Sequence, residues 1–240
     1  MKDYIVVIPA RYNSKRFEGK PLANILGKPM IQHVYENCLK AVPKELIFIA
    51  TDDNRIKDVA VGFGANTIMT SKNCLTGTDR VAEVAVKIKA KYYINVQGDE
   101  PIMDHNDILE VIKNISLNNG DIINGYCQID NEEDYRSINI PKVVFRPDGR
   151  LMYMSRSEVP GNKNRDFKLA YRQVCIYAFP AISLEKFSEQ KNKTLLEDIE
   201  DIEILRFLEM GFEVRMVKLS NSSISVDLKS DIQKVIKKLI

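Results

Sequence analysis

Residues 5–8, Ile5-Val6-Val7-Ile8, form an unbroken apolar run that stops at Pro9. Such a run fits a strand buried inside a sheet, which constrains the chain more than any other local feature. The run empties into a loop carrying Arg11, Lys15, Arg16 and Lys20, with Gly19 and Pro21 bracketing the last lysine. A buried strand that discharges into a basic, glycine-containing loop is how a parallel α/β sheet holds a polyphosphate. The loop is not a Walker A sequence: it lacks G-x-x-x-x-G-K-[ST], and Lys20 is followed by Pro21. Its cations can neutralise a triphosphate, while Ala10 and Arg11 can offer backbone N–H groups. A solvated surface charge run is the alternative, but the position after a buried strand, among Gly and Pro, favours phosphate.

Beyond the loop, strands and helices alternate. The apolar spacing predicts a helix over 29–40 with Met30, Ile31, Val34 and Leu39 on one side. Strand 46–50 follows, exiting through Thr51-Asp52-Asp53; then come helix 56–63, stopped by Gly64, and strand 66–69. Helix 79–89 offers Val81, Val84, Ala85 and Ile88 to a core, and strand 92–96 ends at Gln97-Gly98-Asp99-Glu100-Pro101. This rhythm predicts an α/β fold: a mostly parallel sheet covered on both faces, its site at the strands' C-terminal ends.

The second half is richer in strand. Segments 121–128, 142–146, 151–155, 171–179 and 213–218 read as strands, and Asp148-Gly149 as a turn. Segment 195–210 reads as one acidic amphipathic helix ended by Gly211, 231–239 as a terminal helix, and 160–168 as a surface loop. One unit over 1–240 is expected, with a core at about 1–125 and 205–240 and a β-rich lobe at about 126–204.

Bulk properties exclude several classes. A net charge of +2 gives no ground for nucleic-acid or membrane binding, so the basic loop is a local feature. No apolar run reaches the ~20 residues of a membrane span, and a signal-peptide pattern is lacking; the expected compartment is the cytoplasm. Cys38, Cys74, Cys127 and Cys175 are far apart, and His33 and His105 are the only histidines. That argues against a zinc site, a disulfide framework and Ser-His or Cys-His catalysis. His33 falls within a helix, where a structural role is expected.

Three further places carry candidate chemistry. In Leu75-Thr76-Gly77-Thr78-Asp79-Arg80, Thr76 or Thr78 can cap a helix, Gly77 allows close approach, and Arg80 adds a charge near the helix N-terminus. Asn95-Val96-Gln97-Gly98-Asp99-Glu100-Pro101 places a carboxylate beside a glycine at a strand end, as a magnesium ligand requires. Magnesium asks for one or two protein carboxylates, and Asp227 in Ser225-Val226-Asp227 is available as Asp99's distant partner.

Taken together, IPARYNSKRFEGKPL, TGTDR and NVQGDEP resemble the motifs of the cytidylyltransferases that activate 3-deoxy-manno-octulosonate (KDO) for bacterial surface polysaccharide. The likeness continues through Lys142-Val143-Val144, Tyr153-x-Ser155-Arg156, Ile176-Tyr177, Glu197-x-x-Glu200-x-x-Glu203-x-x-Arg206 and Val226-Asp227. The resemblance implies a Rossmann-like sheet with a smaller β-rich lobe forming a homodimer. It implies CTP bound over the opening loop, with Arg11 and Lys20 on the phosphates and Pro9, Ala10, Thr76, Gly77, Thr78, Arg80 and Gln97 in the nucleotide pocket. Asp99 and Asp227 would bind magnesium, and Arg11, Lys20 and Asp99 would act in catalysis. Gln97 would reach both substrates, with Arg156, Gln173, Tyr177, Glu203 and Ile204 on the sugar-acid side. The implied reaction is attack of the acid's anomeric hydroxyl on the α-phosphorus of CTP, with loss of pyrophosphate.

Three departures fall in the sugar-acid half. Gln173 stands where the family usually has histidine, Ile204 where it has glutamine, and Leu195-Leu196-Glu197-Asp198 where it tends to have Pro-Leu-Glu-His. If Ile204 faces the pocket, a hydrogen bond to the substrate is lost and selectivity shifts. A related acid such as 8-amino-KDO then competes with KDO held by altered contacts. The rivals are a cytidylyltransferase for a sialic-type acid or a small phosphonate, and a non-catalytic nucleotide-binding protein. A glycosyltransferase suits the basic loop less well.

Overall fold

The computed structural model describes residues 1–14, 16–118 and 120–240. In its first half come β1 (Lys2–Ala10), β2 (Asn24–Ile25), β3 (Lys28–Pro29), α1 (Met30–Ala41), β4 (Ile47–Thr51) and α2 (Asn54–Gly62). Then follow β5 (Asn66–Met69), α3 (Gly77–Lys87), β6 (Ala90–Val96) and α4 (His105–Leu117). The second half holds β7 (Ile122–Gln128), α5 (Glu132–Arg136), β8 (Lys142–Phe145), β9 (Leu151–Ser155), β10 (Tyr171–Pro180) and α6 (Ala181–Glu189). It closes with α7 (Leu195–Glu200), α8 (Ile204–Glu209), β11 (Val214–Lys218) and α9 (Asp231–Leu239).

Nine strands form one sheet in the order β11-β7-β10-β6-β1-β4-β5, with β8 paired to β10 and β9 to β8. Strands β6, β1, β4 and β5 are parallel, β10 runs antiparallel to its neighbours β6 and β7, and β11 is parallel to β7. Both faces are buried, as the apolar run of β1 requires. Val6 and Ile8 enter a cluster with Tyr35 of α1, Ile56 of α2 and Ile108 of α4. Ile5 and Val7 enter the opposite cluster with Val81 of α3, Phe187 of α6 and Phe207 of α8. Each such buried aliphatic side chain contributes about 1.5–3 kcal/mol. The chain winds from β1 outward through β4 and β5, then returns to place β6 on β1's other side. The crevice beyond the C-terminal ends of β1 and β6 is therefore the sheet's switch point.

Several elements differ from expectation. In α1 the buried residues are Met30, Ile31, Val34, Tyr35 and Cys38, while Leu39 is 40% exposed, one position outside the helical stripe. Helices α4 and α6 went unassigned from sequence, although Asp104 caps α4 by accepting a hydrogen bond from Asn106 N. The helix expected over 195–210 is two short helices, broken at Asp201 in the left-handed region (φ 51°, ψ 50°). Neither Gly nor Pro marks that break; Glu197, Glu200 and Glu203 around it reach different elements. The cysteines are free thiols, with Cys38 and Cys127 buried. Burial pushes the Cys127 thiol up to about 11 and that of Cys74 up to about 12, so both stay protonated at neutral pH. His33 Nε2 lies 2.8 Å from Ile25 O, a structural contact.

Candidate active site

The basic loop after β1 is pinned at both ends of its excursion. Gly19 N donates to Tyr12 O at 2.9 Å, closing the loop. The Arg55 guanidinium lies 3.3 Å from the centre of the Tyr12 ring and grips the Asp53 carboxylate at 2.9 and 2.7 Å. Phe17, at the loop's far side, is buried in a small third core with Ile25, Met30, Val226 and Val235, the last from α9. The loop's position is thus fixed by packing, which a merely solvated charge run would lack. Arg11 is exposed, and Lys15 lies outside the described residues.

That third core brings distant segments together. Val226 N donates to Asp99 O at 2.9 Å, holding Asp227 beside Asp99. Lys20 Nζ stands 2.6 Å from Asp99 Oδ2 and 3.8 Å from Asp227 Oδ1, and Arg16 reaches the same Asp227 oxygen at 2.8 Å. The two aspartates, separated by more than half the chain, share a single ammonium. Both remain about 30% exposed (28% and 32%), open to the crevice.

Next to them the backbone is packed without room for side chains. A Cβ on Gly98 would lie 2.7 Å from Pro9 O and 3.2 Å from Ile31 Cδ1. One on Gly77 would meet the Gln97 amide at 3.3 Å and the Pro9 ring at 3.4 Å. Pro9, Ala10, Gly77, Gln97 and Gly98 therefore form one surface at the ends of β1 and β6 and the start of α3. Thr76 is the N-cap of α3: its Oγ1 accepts from Asp79 N at 3.3 Å, while Asp79 accepts from Thr76 N at 2.8 Å. Thr78 does not cap. Arg80 departs from its expected place: only 3% exposed, it pairs with Asp52 at 3.3 Å and Thr70, so its charge is spent inside the protein.

The half expected from sequence to take the sugar acid is built around α7, the turn after it and α8, which meet β9, paired to β8, and the start of α3. Glu203 accepts from Gly77 N (3.1 Å), Thr78 N (2.9 Å) and Thr78 Oγ1 (2.5 Å), so the anion at the start of α3 is a carboxylate of the chain itself. Burial raises its pKa above the usual carboxylate value against the pull of those donors. Glu200 accepts from Ser155 Oγ at 2.7 Å, Arg156 N at 2.8 Å and Tyr153 OH at 3.2 Å. Arg156 turns its guanidinium onto the carbonyls of Glu200 (2.5 Å), Ile138 (3.0 Å) and Asp201 (3.0 Å). The buried Lys142 ties the carbonyls of Ser137 and Arg156, at 2.8 and 2.6 Å. Beneath them the fully buried Arg206 grips both Glu197 oxygens at 2.6 Å, meets Asp79 at 3.2 Å and lies over the Phe187 ring at 3.8 Å. The Glu-x-x-Glu-x-x-Glu-x-x-Arg pattern is a clasp: Glu197 and Arg206 grip each other, Glu200 holds the end of β9 and Glu203 the start of α3.

Tyr177, 5% exposed, stands in a sheet row between Asn95 of β6 and Asn124 of β7, and burial holds its phenol well above its ordinary pKa. Gln173 donates to Asn124 Oδ1 at 2.9 Å, and Asn124 donates onward to the carbonyls of Val174 and Ile176 at the bulge in β10. Ile204 is 1% exposed within the core that holds Val81 and Phe187, so it presents no surface to a substrate. The selectivity shift expected from Ile204 therefore has no pocket surface to act through. Asn95, Asn124, Lys142 and Glu200 were given no site role from sequence. For Asn95, Asn124 and Lys142 a single polar letter in an apolar strand was the available signal: Asn95 is fully buried, and neither of its side-chain polar atoms has a partner among the described residues.

A mostly parallel α/β sheet with a cation-bridged aspartate pair and tight glycine contacts at its switch point is an arrangement that suits a nucleotidyltransferase. The family model described as Cytidylyltransferase matches residues 5–219. The chain is 40% identical to the 3-deoxy-manno-octulosonate cytidylyltransferases of Geotalea uraniireducens (97% of each chain covered) and Geobacter metallireducens (97% and 96%). It superposes on the solved structure of CMP:2-keto-3-deoxy-manno-octonic acid synthetase complexed with CTP with a TM-score of 0.92, at 33% identity, covering 99% of this chain and 98% of that one. The protein belongs to the cytidylyltransferase family.

Proposed function

We propose that the protein transfers CMP from CTP to the anomeric hydroxyl of KDO and releases pyrophosphate. The observation that carries this is the convergence of Lys20, Asp99 and Asp227 beside the Pro9–Gly77–Gln97 surface. The relatives' shared activity supports KDO as the acid.

Asp99 and Asp227 fit magnesium by their chemistry: two hard carboxylates, partly open, already gathered around one cation. When bound, magnesium supplies charge stabilisation on the phosphates. Lys20, Arg11 and Arg16 oppose the charge of the triphosphate and of departing pyrophosphate. Gly98 and Gly77 let the ends of β6 and β1 and the start of α3 pack together into the surface that would take the nucleotide, with Gln97 against Gly77. Arg156, fixed by its carbonyl partners, and Tyr177 line the acid's side. The hydroxyl oxygen bonds to the α-phosphorus as the bond to pyrophosphate breaks, and the hydroxyl proton is lost to solvent. Positioning and electrostatics supply most of the rate.

With Ile204 in the core and Gln173 bonded to Asn124, nothing favours an amino analogue over KDO. The complete set of Arg11, Lys20, Asp99 and Asp227 favours an active enzyme over a non-catalytic binder. A homodimer through the β-rich lobe is supported by the exposed Ile138, Met152 and Leu169 near β8 and β9. No helix among the described residues is long and apolar enough to cross a membrane; work in the cytoplasm, supplying surface-polysaccharide synthesis, accords with the proposed substrate.

Pyrophosphate release with CTP, magnesium and a panel of KDO, 8-amino-KDO, sialic acid and simple phosphonates tests this. Release with KDO at the highest kcat/KM is expected. Release with another member alone, or with none, overturns the assignment.

A further inference from the structure

Asp201 is an unusual residue for its place. It sits in the left-handed region (φ 51°) between α7 and α8, where a non-glycine residue is uncommon and Asp or Asn is best tolerated. Its side chain is 74% exposed, so burial does not hold it there. Its surroundings are cationic: Lys193 Nζ lies 2.7 Å from Oδ1 and Arg156 Nη2 4.0 Å from Oδ2. The charges of Lys193, Arg156 and Arg11 together lower its pKa. Residues on either side belong to the site: Glu200 holds the Arg156 backbone, and Glu203 binds the start of α3 beside Gln97.

A sugar acid brings a carboxylate; Arg156, 32% exposed, spends three of its five N–H groups on carbonyls and has two left to offer such a group. We propose that Asp201 is a specificity-determining residue whose carboxylate occupies Lys193 and Arg156 in place of the substrate's carboxylate and thereby sets the affinity for the acid. This rests on the proposed sugar-acid activity. Lys193 becomes a second candidate cation for the acid, one that sequence patterns did not single out. A purely structural ion pair would act differently: its loss would lower stability and leave substrate affinity alone.

Asp201→Asn and Asp201→Gly test the proposal, because both residues accept a left-handed backbone while removing the charge. Steady-state kinetics are measured against KDO and against CTP at low and high salt, with circular dichroism confirming that each variant is folded. The KM for KDO is expected to fall about three- to tenfold at low salt, since one partly screened charge a few ångströms away is worth that much. The KM for CTP moves less, and high salt shrinks the gain. Lys193→Met is expected to raise the KM for KDO. If both Asp201 variants fold and leave the KM for KDO unchanged or raise it, the proposal is wrong while the activity stands. If the unmodified protein turns over no KDO, the functional assignment itself fails, and the inference with it.

Discussion

The two halves of the crevice hold charge by opposite means. On the nucleotide side, the opening loop and the turn after β6 keep their carboxylates and cations partly open, supported by backbone contacts and glycines. On the proposed acid side, apart from the partly exposed group of Asp201, Lys193 and Arg156, charge is locked inward: Arg206 is buried on Glu197, Glu203 on the start of α3, and Lys142 on two carbonyls. Open ion pairs exchange partners cheaply, whereas buried ones define geometry and are costly to break. The nucleotide half is thus arranged for chemistry and the acid half for shape.

Substitutions can break that contrast. The largest effect on rate is expected from Asp99→Asn, with kcat/KM for CTP falling at least about a hundredfold in pyrophosphate-release assays. Its thermal midpoint moves by no more than about 3 °C, because the lost pair with Lys20 is partly exposed. Arg206→Met reverses the pattern. Stranding the buried Glu197 costs about 3–5 kcal/mol, or about 10 °C in a scanning calorimeter for a chain of this size. An unchanged midpoint would refute the clasp.

Smaller changes sharpen it. Gly98→Ala forces a methyl against Pro9 O, costing about 1–3 kcal/mol in urea unfolding and raising the KM for CTP more than that for KDO. Glu203 offers a pH signature. Because its folded pKa is raised above the 4.5 of a free glutamate, the native state binds the extra proton and stability falls as pH rises through the interval above 4.5. Glu203→Gln should flatten that segment of the urea-midpoint profile between pH 4 and 7. A profile parallel to the unmodified protein's would contradict the burial of that carboxylate.

The same contrast explains what the sequence disclosed. The nucleotide half is written in short contiguous motifs, since backbone turns and glycine contacts are local: Pro9 to Lys20, Thr76 to Asp79, Gln97 to Asp99. Even there Arg80 misled, because a cation's partner is set by the fold, and Asp52 lies on another strand. The acid half depends on long-range partners. Glu203 pairs with Thr78 across 125 positions, and Gln173 with Asn124 across 49. Spacing could show that 197, 200, 203 and 206 share a helical rhythm, but not that the helix breaks at Asp201 so that its carboxylates face different elements. Nor could it show that Ile204 turns into the core.

The central claim is that the open half activates CTP for attack by the acid seated in the locked half. Phosphorus-31 NMR of the purified protein with CTP, magnesium and KDO tests it most directly. The account predicts a new CMP phosphodiester resonance and pyrophosphate, appearing in equal amounts and only when all three are present. Inorganic phosphate in place of pyrophosphate, or CTP consumed at the same rate without the acid, would contradict it.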